Sequence, residues 1–112
     1  MNRWIQGLLI TLLILLMAPG LGNTAGSSEG AELFQQHCAA CHINGGNIIR
    51  RGKNLKLKAL ERQGIASVDA IAQIAREGVG QMSGYGELLG PDGDQIVAEW
   101  IWEQAQKAWI QG

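Results

Sequence analysis

The sequence predicts an all-α domain of about four helices. Two segments carry apolar stripes at helical spacing: Val68, Ile71, Ala72 and Ala75, then Ile96, Val97, Trp100, Ile101, Ala105, Ala108 and Trp109. No segment shows the period-two alternation of a half-buried strand. The chain has 112 residues, enough for one domain.

Residues 1–25 read as a cleaved secretory leader. Arg3 gives a positive start, Leu8 to Met17 an apolar core, and Pro19-Gly20 a break before small residues. The apolar run falls short of the roughly 20 residues a membrane span needs. Residues 26–112 form the working domain, with Gly26-Ser27-Ser28 as a flexible entry and Ser28 as N-cap. Glu29 to about Cys38 is then a short helix with Leu33 and Phe34 on its apolar side. Ile43 to Asn54 is a loop, given Gly45-Gly46, Gly52 and its basic residues. Leu55 to Arg62 is a second helix, with Leu57 and Leu60 inward and Gly64 as its stop. Ser67 caps a third helix that ends at Gly78, and Asp69 suits the dipole of its first turn. Gly78 to Gly90 is a glycine-rich loop. Asp92 caps the last helix, with Gln95 as its capping-box partner. Phe34 and Trp100 pack where the first and last helices cross, and Gly30 lets them approach.

The chemistry starts at Cys38-Ala39-Ala40-Cys41-His42, which contains the only two cysteines. This is the C-x-x-C-H sequence of c-type haem attachment. On a helical turn, positions i, i+3 and i+4 share a face. Both sulfurs can then bond the haem vinyl groups while His42 reaches the iron. A thioredoxin-like site needs a βαβ setting, which is absent. A zinc site using His37, Cys38, Cys41 and His42 would force sequence neighbours onto one tetrahedral ion. A domain of under ninety residues is marginal without a cofactor, and one haem c supplies the missing apolar body.

The second axial ligand follows by elimination. Met1 and Met17 leave with the leader, so Met82, in the glycine-rich loop, remains. A thioether opposite histidine raises the potential and closes the iron to small ligands. That favours a one-electron carrier over an enzyme, the alternative being a haem sensor or peroxidase-like protein with a displaceable Met82. Without the leader the chain holds eight basic and ten acidic residues, which gives no nucleic-acid footprint. The cations gather in the first half, from Arg50 to Arg62, and carboxylates dominate the second. Asn47 and Lys53 lie where the loop can reach haem propionates.

The residues around these sites resemble cytochrome c6. The resemblance runs through Gly30-Ala31-Glu32-Leu33-Phe34, Gly45-Gly46-Asn47-Ile48-Ile49, Lys53-Asn54-Leu55, Gly78, Met82, Tyr85-Gly86 and Val97 to Trp109. It implies a class I cytochrome c fold around one covalently bound haem, monomeric and without a membrane anchor after leader cleavage. It also implies the thylakoid lumen, with the bacterial periplasm as alternative. The partners implied are a cytochrome b6f-like donor and photosystem I or a terminal oxidase as acceptor. Two positions depart from the family. Ser83 stands where a proline usually follows the methionine, and Ile74 stands where the family has a glutamine near the haem. Aliphatic residues there accompany lower potentials, so the resemblance is to a c6-like variant such as cytochrome c6C.

Overall fold

The computed structural model describes residues 22–110, and side chains from Ser28 onward. The expected leader therefore lies outside the described residues up to position 21. Among the described residues five α-helices follow one another: α1 (Gly22–His37), α2 (Leu57–Arg62), α3 (Val68–Glu77), α4 (Gly86–Leu89) and α5 (Gly93–Gln106). Short 3-10 turns at Ile43–Gly45 and Arg51–Lys53 shape the long connection between α1 and α2.

The helices gather because their apolar stripes have one place to go. α5 packs against both α1 and α3. Phe34 on α1 meets Trp100 on α5 at 4.9 Å between ring centroids, tilted by 41°. The crossing is close because Gly30 has no side chain: a Cβ there would sit 2.6 Å from Trp100 Cβ and 2.9 Å from the Ile96 carbonyl. Leu60 and Val97 are fully buried in the core, and Ile71, Ala72, Ala75 and Ile101 belong to the same cluster. Each large apolar side chain buried here contributes about 1.5–3 kcal/mol.

Several element boundaries differ from the sequence reading. α1 starts at Gly22, so Ser28 lies inside the helix and is not its cap. Ser67 does cap α3, accepting from the Ala70 amide at 3.2 Å. Asp92 sits before α5 but makes no side-chain cap; its backbone is left-handed, with φ 64°. Gln95 turns instead to Asp69 Oδ1, at 3.4 Å, and bridges α3 and α5. The glycine-rich loop is more ordered than its composition implies. It contains the antiparallel pair β1 (Gly78–Val79) and β2 (Met82–Ser83), then α4. Finally, α5 stops at Gln106. Ala108 and Trp109 have positive φ, 56° and 60°, so the chain reverses; Ala108 is exposed while Trp109 folds back into the core.

Candidate haem site

The C-x-x-C-H run forms the turn that leaves α1. Cys38 N–H donates to Phe34 C=O at 2.8 Å, continuing the helical pattern. Cys41 and His42 then both donate to Cys38 C=O, at 3.2 and 3.0 Å. These i−3 and i−4 bonds place Cys38, Cys41 and His42 on one turn, as the spacing predicts.

All three line a cavity of about 520 Å³, within the range of small-molecule and cofactor sites. Its walls include Leu55, Leu60, Ile65, Ile71, Ile74 and Ile101. Met82, Asn47 and Lys53 line the same cavity, so every residue named from the sequence reaches one space.

His42 is held in a defined orientation. Its Nδ1 lies 2.7 Å from the Gly46 carbonyl. A carbonyl only accepts, so Nδ1 carries the proton and Nε2 keeps its lone pair free. This is how proteins orient a metal-binding imidazole. Gly46 escaped the ligand analysis of the sequence. The sign it left was a Gly-Gly pair directly after the motif, where backbone can turn back toward the ring.

The two thiols are unlike a redox-active pair. Burial, helped by the neighbouring Cys41, pushes the Cys38 thiol up to about 11, whereas thioredoxin-like sites depress theirs. Cys38 is therefore a neutral thiol facing an apolar space. Among the described residues, no group of three or more His, Cys, Asp or Glu side chains is arranged to hold a metal ion. His37 lines the same cavity and lies near Tyr85, 6.1 Å between ring centroids.

Met82 owes its place to the end of α3. The Gly78 amide caps the helix by donating to Ile74 C=O, and its φ of 81° turns the chain away. A side chain at Gly78 would lie 2.5 Å from the Met82 carbonyl, so only glycine lets β2 pair this closely. Val79 pairs with Met82 in register, and Tyr85 N–H closes the loop onto Ala75 C=O at 2.8 Å.

Asn47 works mainly within its own loop. Its Oδ1 accepts from Ile49 and Arg50 amides at 3.0 and 2.8 Å, and its Nδ2 donates to Lys53 C=O at 3.0 Å. Lys53 keeps its ammonium exposed at the cavity rim.

A second support reaches this loop from the C-terminus. Trp109 Nε1 donates to Leu55 C=O at 3.1 Å, and Leu55 N–H donates to Gly45 C=O at 2.7 Å. The indole ring packs directly on Gly45, whose φ is 79°. Trp109 thus braces the segment that carries Gly46, the partner of His42.

Comparison with known proteins gives the family of the chain. A family model described as cytochrome c oxidase, cbb3-type, subunit III matches residues 25–101. A cytochrome c6-like protein of Nostoc sp. (strain PCC 7120) is 41% identical over 97% of this chain and 99% of its own length. The chain belongs to the cytochrome c6 family. Among solved structures, cytochrome c6B from Synechococcus sp. WH8102 is 73% identical with a TM-score of 0.73, covering 75% of this chain and 96% of that one. Cytochrome c6C from Synechococcus sp. PCC 7002 is 48% identical with a TM-score of 0.68, covering 70% and 96%. The fold is accordingly that of the class I c6 cytochromes, and the cofactor is one covalently bound haem c. As a member of the family this cytochrome is a one-electron carrier and not an enzyme.

The residues present suit that cofactor. The cavity offers two sulfurs and an oriented imidazole from one turn, a thioether from β2, and apolar walls. Haem iron bound there supplies a reversible one-electron couple. The chain's own part is to hold Nε2 of His42 available, exclude water with aliphatic walls, and present thiols for attachment. Among the described residues no helix is long and apolar enough to cross a membrane.

Proposed function

We propose that Cys38 and Cys41 anchor the haem covalently and that His42 and Met82 are its axial ligands. The single observation supporting this is the shared cavity: the attachment turn and Met82 line one space, with His42 Nδ1 tied to Gly46. In the ferric protein this ligation gives the red charge-transfer band of methionine-bound iron. Met82→Ala abolishes the band and opens the iron to added cyanide or imidazole, while the haem stays covalently attached. A wild-type protein that lacks the band and binds cyanide readily would instead have a displaceable Met82, the mark of a sensor or peroxidase-like protein.

The carrier is exported by cleavage of residues 1–25 and works as a monomer in the thylakoid lumen, the periplasm being the alternative. It takes electrons from a cytochrome b6f-like donor and passes them to photosystem I or a terminal oxidase. Its potential lies below that of the main cytochrome c6, because Ile74, which lines the cavity, offers no amide dipole. The likeness to cytochromes c6B and c6C supports this variant reading. Mass spectrometry of the haem protein from its native membranes-free fraction tests the leader: a mature N-terminus near Gly26 is expected, and an intact Met1 would contradict export with cleavage.

A further inference from the structure

We propose that Trp109 is a positioning residue for His42: it sets how firmly the Gly46 carbonyl holds Nδ1, and through that bond how much negative charge the imidazole carries. The proposal rests on His42 as an iron ligand and names what tunes that ligand from the far end of the chain.

The indole stands between the two segments that make the His42 hydrogen bond. On the donor side it packs against Phe34, 5.4 Å between ring centroids. Phe34 C=O accepts the Cys38 and Ala39 amides at 2.8 and 2.9 Å, and Cys38 C=O accepts the His42 amide at 3.0 Å. The ring therefore bears on the residue from which the attachment turn hangs. On the acceptor side it covers Gly45, and its Nε1 donates to Leu55 C=O, whose own amide donates to Gly45 C=O. Gly46 is the next residue, and its carbonyl takes the Nδ1 proton.

The backbone at both ends of this contact is of the kind that outside support maintains. Asn44 and Gly45 are left-handed in succession, with φ 52° and 79°. Gly45 is buried although Ile43 and Asn44 beside it are exposed. Trp109 itself has φ 60°, a conformation a bulky aromatic rarely adopts. Such backbone persists where its surroundings over-determine it. Here the Trp109 amide donates to Gln104 C=O at 2.8 Å, and Trp100 meets the ring edge-on at 5.7 Å. Packing alone accounts for a buried ring. It does not account for a strained chain end that delivers a donor to the loop carrying Gly46.

A carbonyl that accepts from Nδ1 raises the basicity of the other ring nitrogen. A more basic ligand favours ferric iron, so a loosened Gly46 bond raises the midpoint potential and frees the Nδ1 proton for exchange.

The test follows that proton by NMR in the ferrous haem protein, as it exchanges with heavy water beside the slowest backbone amides. Trp109→Phe keeps a ring on Gly45 and removes the donor to Leu55. Exchange at Nδ1 is expected to quicken about tenfold relative to the slow amides, the order of one lost hydrogen bond. The midpoint potential rises with it. Val97→Ala is the control for plain destabilisation, since Val97 is fully buried on α5 and does not line the cavity. It speeds the Nδ1 proton and the slow amides alike and leaves the potential in place. Benzothienylalanine in place of Trp109 has the same shape with sulfur for N–H, and gives the same contrast should Trp109→Phe not fold. An Nδ1 proton that follows the slow amides when the indole N–H is removed, or a potential that stays put, would overturn the proposal and leave His42 as ligand. A wild-type protein whose His42 ring protons lack the large upfield shift of an imidazole on haem iron would instead remove the ligand reading, and the proposal with it.

Discussion

Ile74 and Trp109 show how single residues act on the site without bonding to iron. Ile74 lines the cavity through an aliphatic side chain. Ile74→Gln places an amide dipole there; a polar interaction of about 1 kcal/mol corresponds to about 40 mV for a one-electron couple. The midpoint potential of Ile74→Gln rises by that order in parallel titrations with the wild type, and an unchanged potential would remove Ile74 as the cause of a low value. Trp109 braces Gly45 and Leu55 from the chain's end. Trp109→Phe keeps the aromatic packing but leaves Leu55 C=O without its donor, so thermal unfolding falls by about 1 kcal/mol. The sequence put Trp109 on the stripe of the last helix. It is buried as that stripe requires, but the left-handed backbone at 108 and 109 brings it there by a different route. No local signal announces such a reversal, because Ala and Trp rarely adopt positive φ.

At the scale of elements, the α1–α5 crossing and the α3–α5 contact carry most of the fold. Phe34→Ala empties the centre of the crossing and costs about 3–5 kcal/mol in denaturant unfolding. Between α3 and α5, Arg76 holds the Asp94 carboxyl below its usual range, chiefly through their hydrogen bond. A carboxylate depressed in the folded state adds stability above its unfolded value of about 3.9. That contribution is lost as pH falls through the lower folded value. Both partners are partly exposed, so the pair contributes under about 1 kcal/mol. Asp94→Asn therefore lowers stability slightly at neutral pH and makes no difference at the acid end, as pH-dependent urea titrations will read. Helix existence was legible from the stripes at Val68–Ala75 and Ile96–Ala105, since packing enforces them. Boundaries were not. Asp92 looks like a cap from residue type alone, yet its φ of 64° prevents the usual capping geometry. The β1–β2 pair is too short to leave a periodic pattern, and it depends on Gly78 fitting against the Met82 carbonyl.

For the molecule as a whole, the cavity dominates. Its walls are largely aliphatic, and about 520 Å³ of space left unfilled would cost up to ~12 kcal/mol by the cavity slope of mutational studies. That rivals the net stability of a domain. Cys38→Ala/Cys41→Ala, which removes covalent attachment, is expected to yield a protein with helical far-UV signal but no cooperative unfolding transition. The proposed site was legible because covalent attachment demands a fixed sequence, and because setting residues 1–25 aside as an expected leader leaves Met82 as the one methionine. The support from Gly46 was only faintly so, since it is a backbone carbonyl four residues past His42, and the brace from Trp109 was not, since its bond to Leu55 joins residues 54 apart.

An equilibrium redox titration of the mature haem protein, beside an ordinary cytochrome c6 in the same buffer, tests the central claim most directly. The account predicts a single reversible one-electron wave with a midpoint below that of the companion. The absence of such a wave would contradict an electron carrier, and a midpoint equal to the companion's or above it would contradict the variant reading built on Ile74.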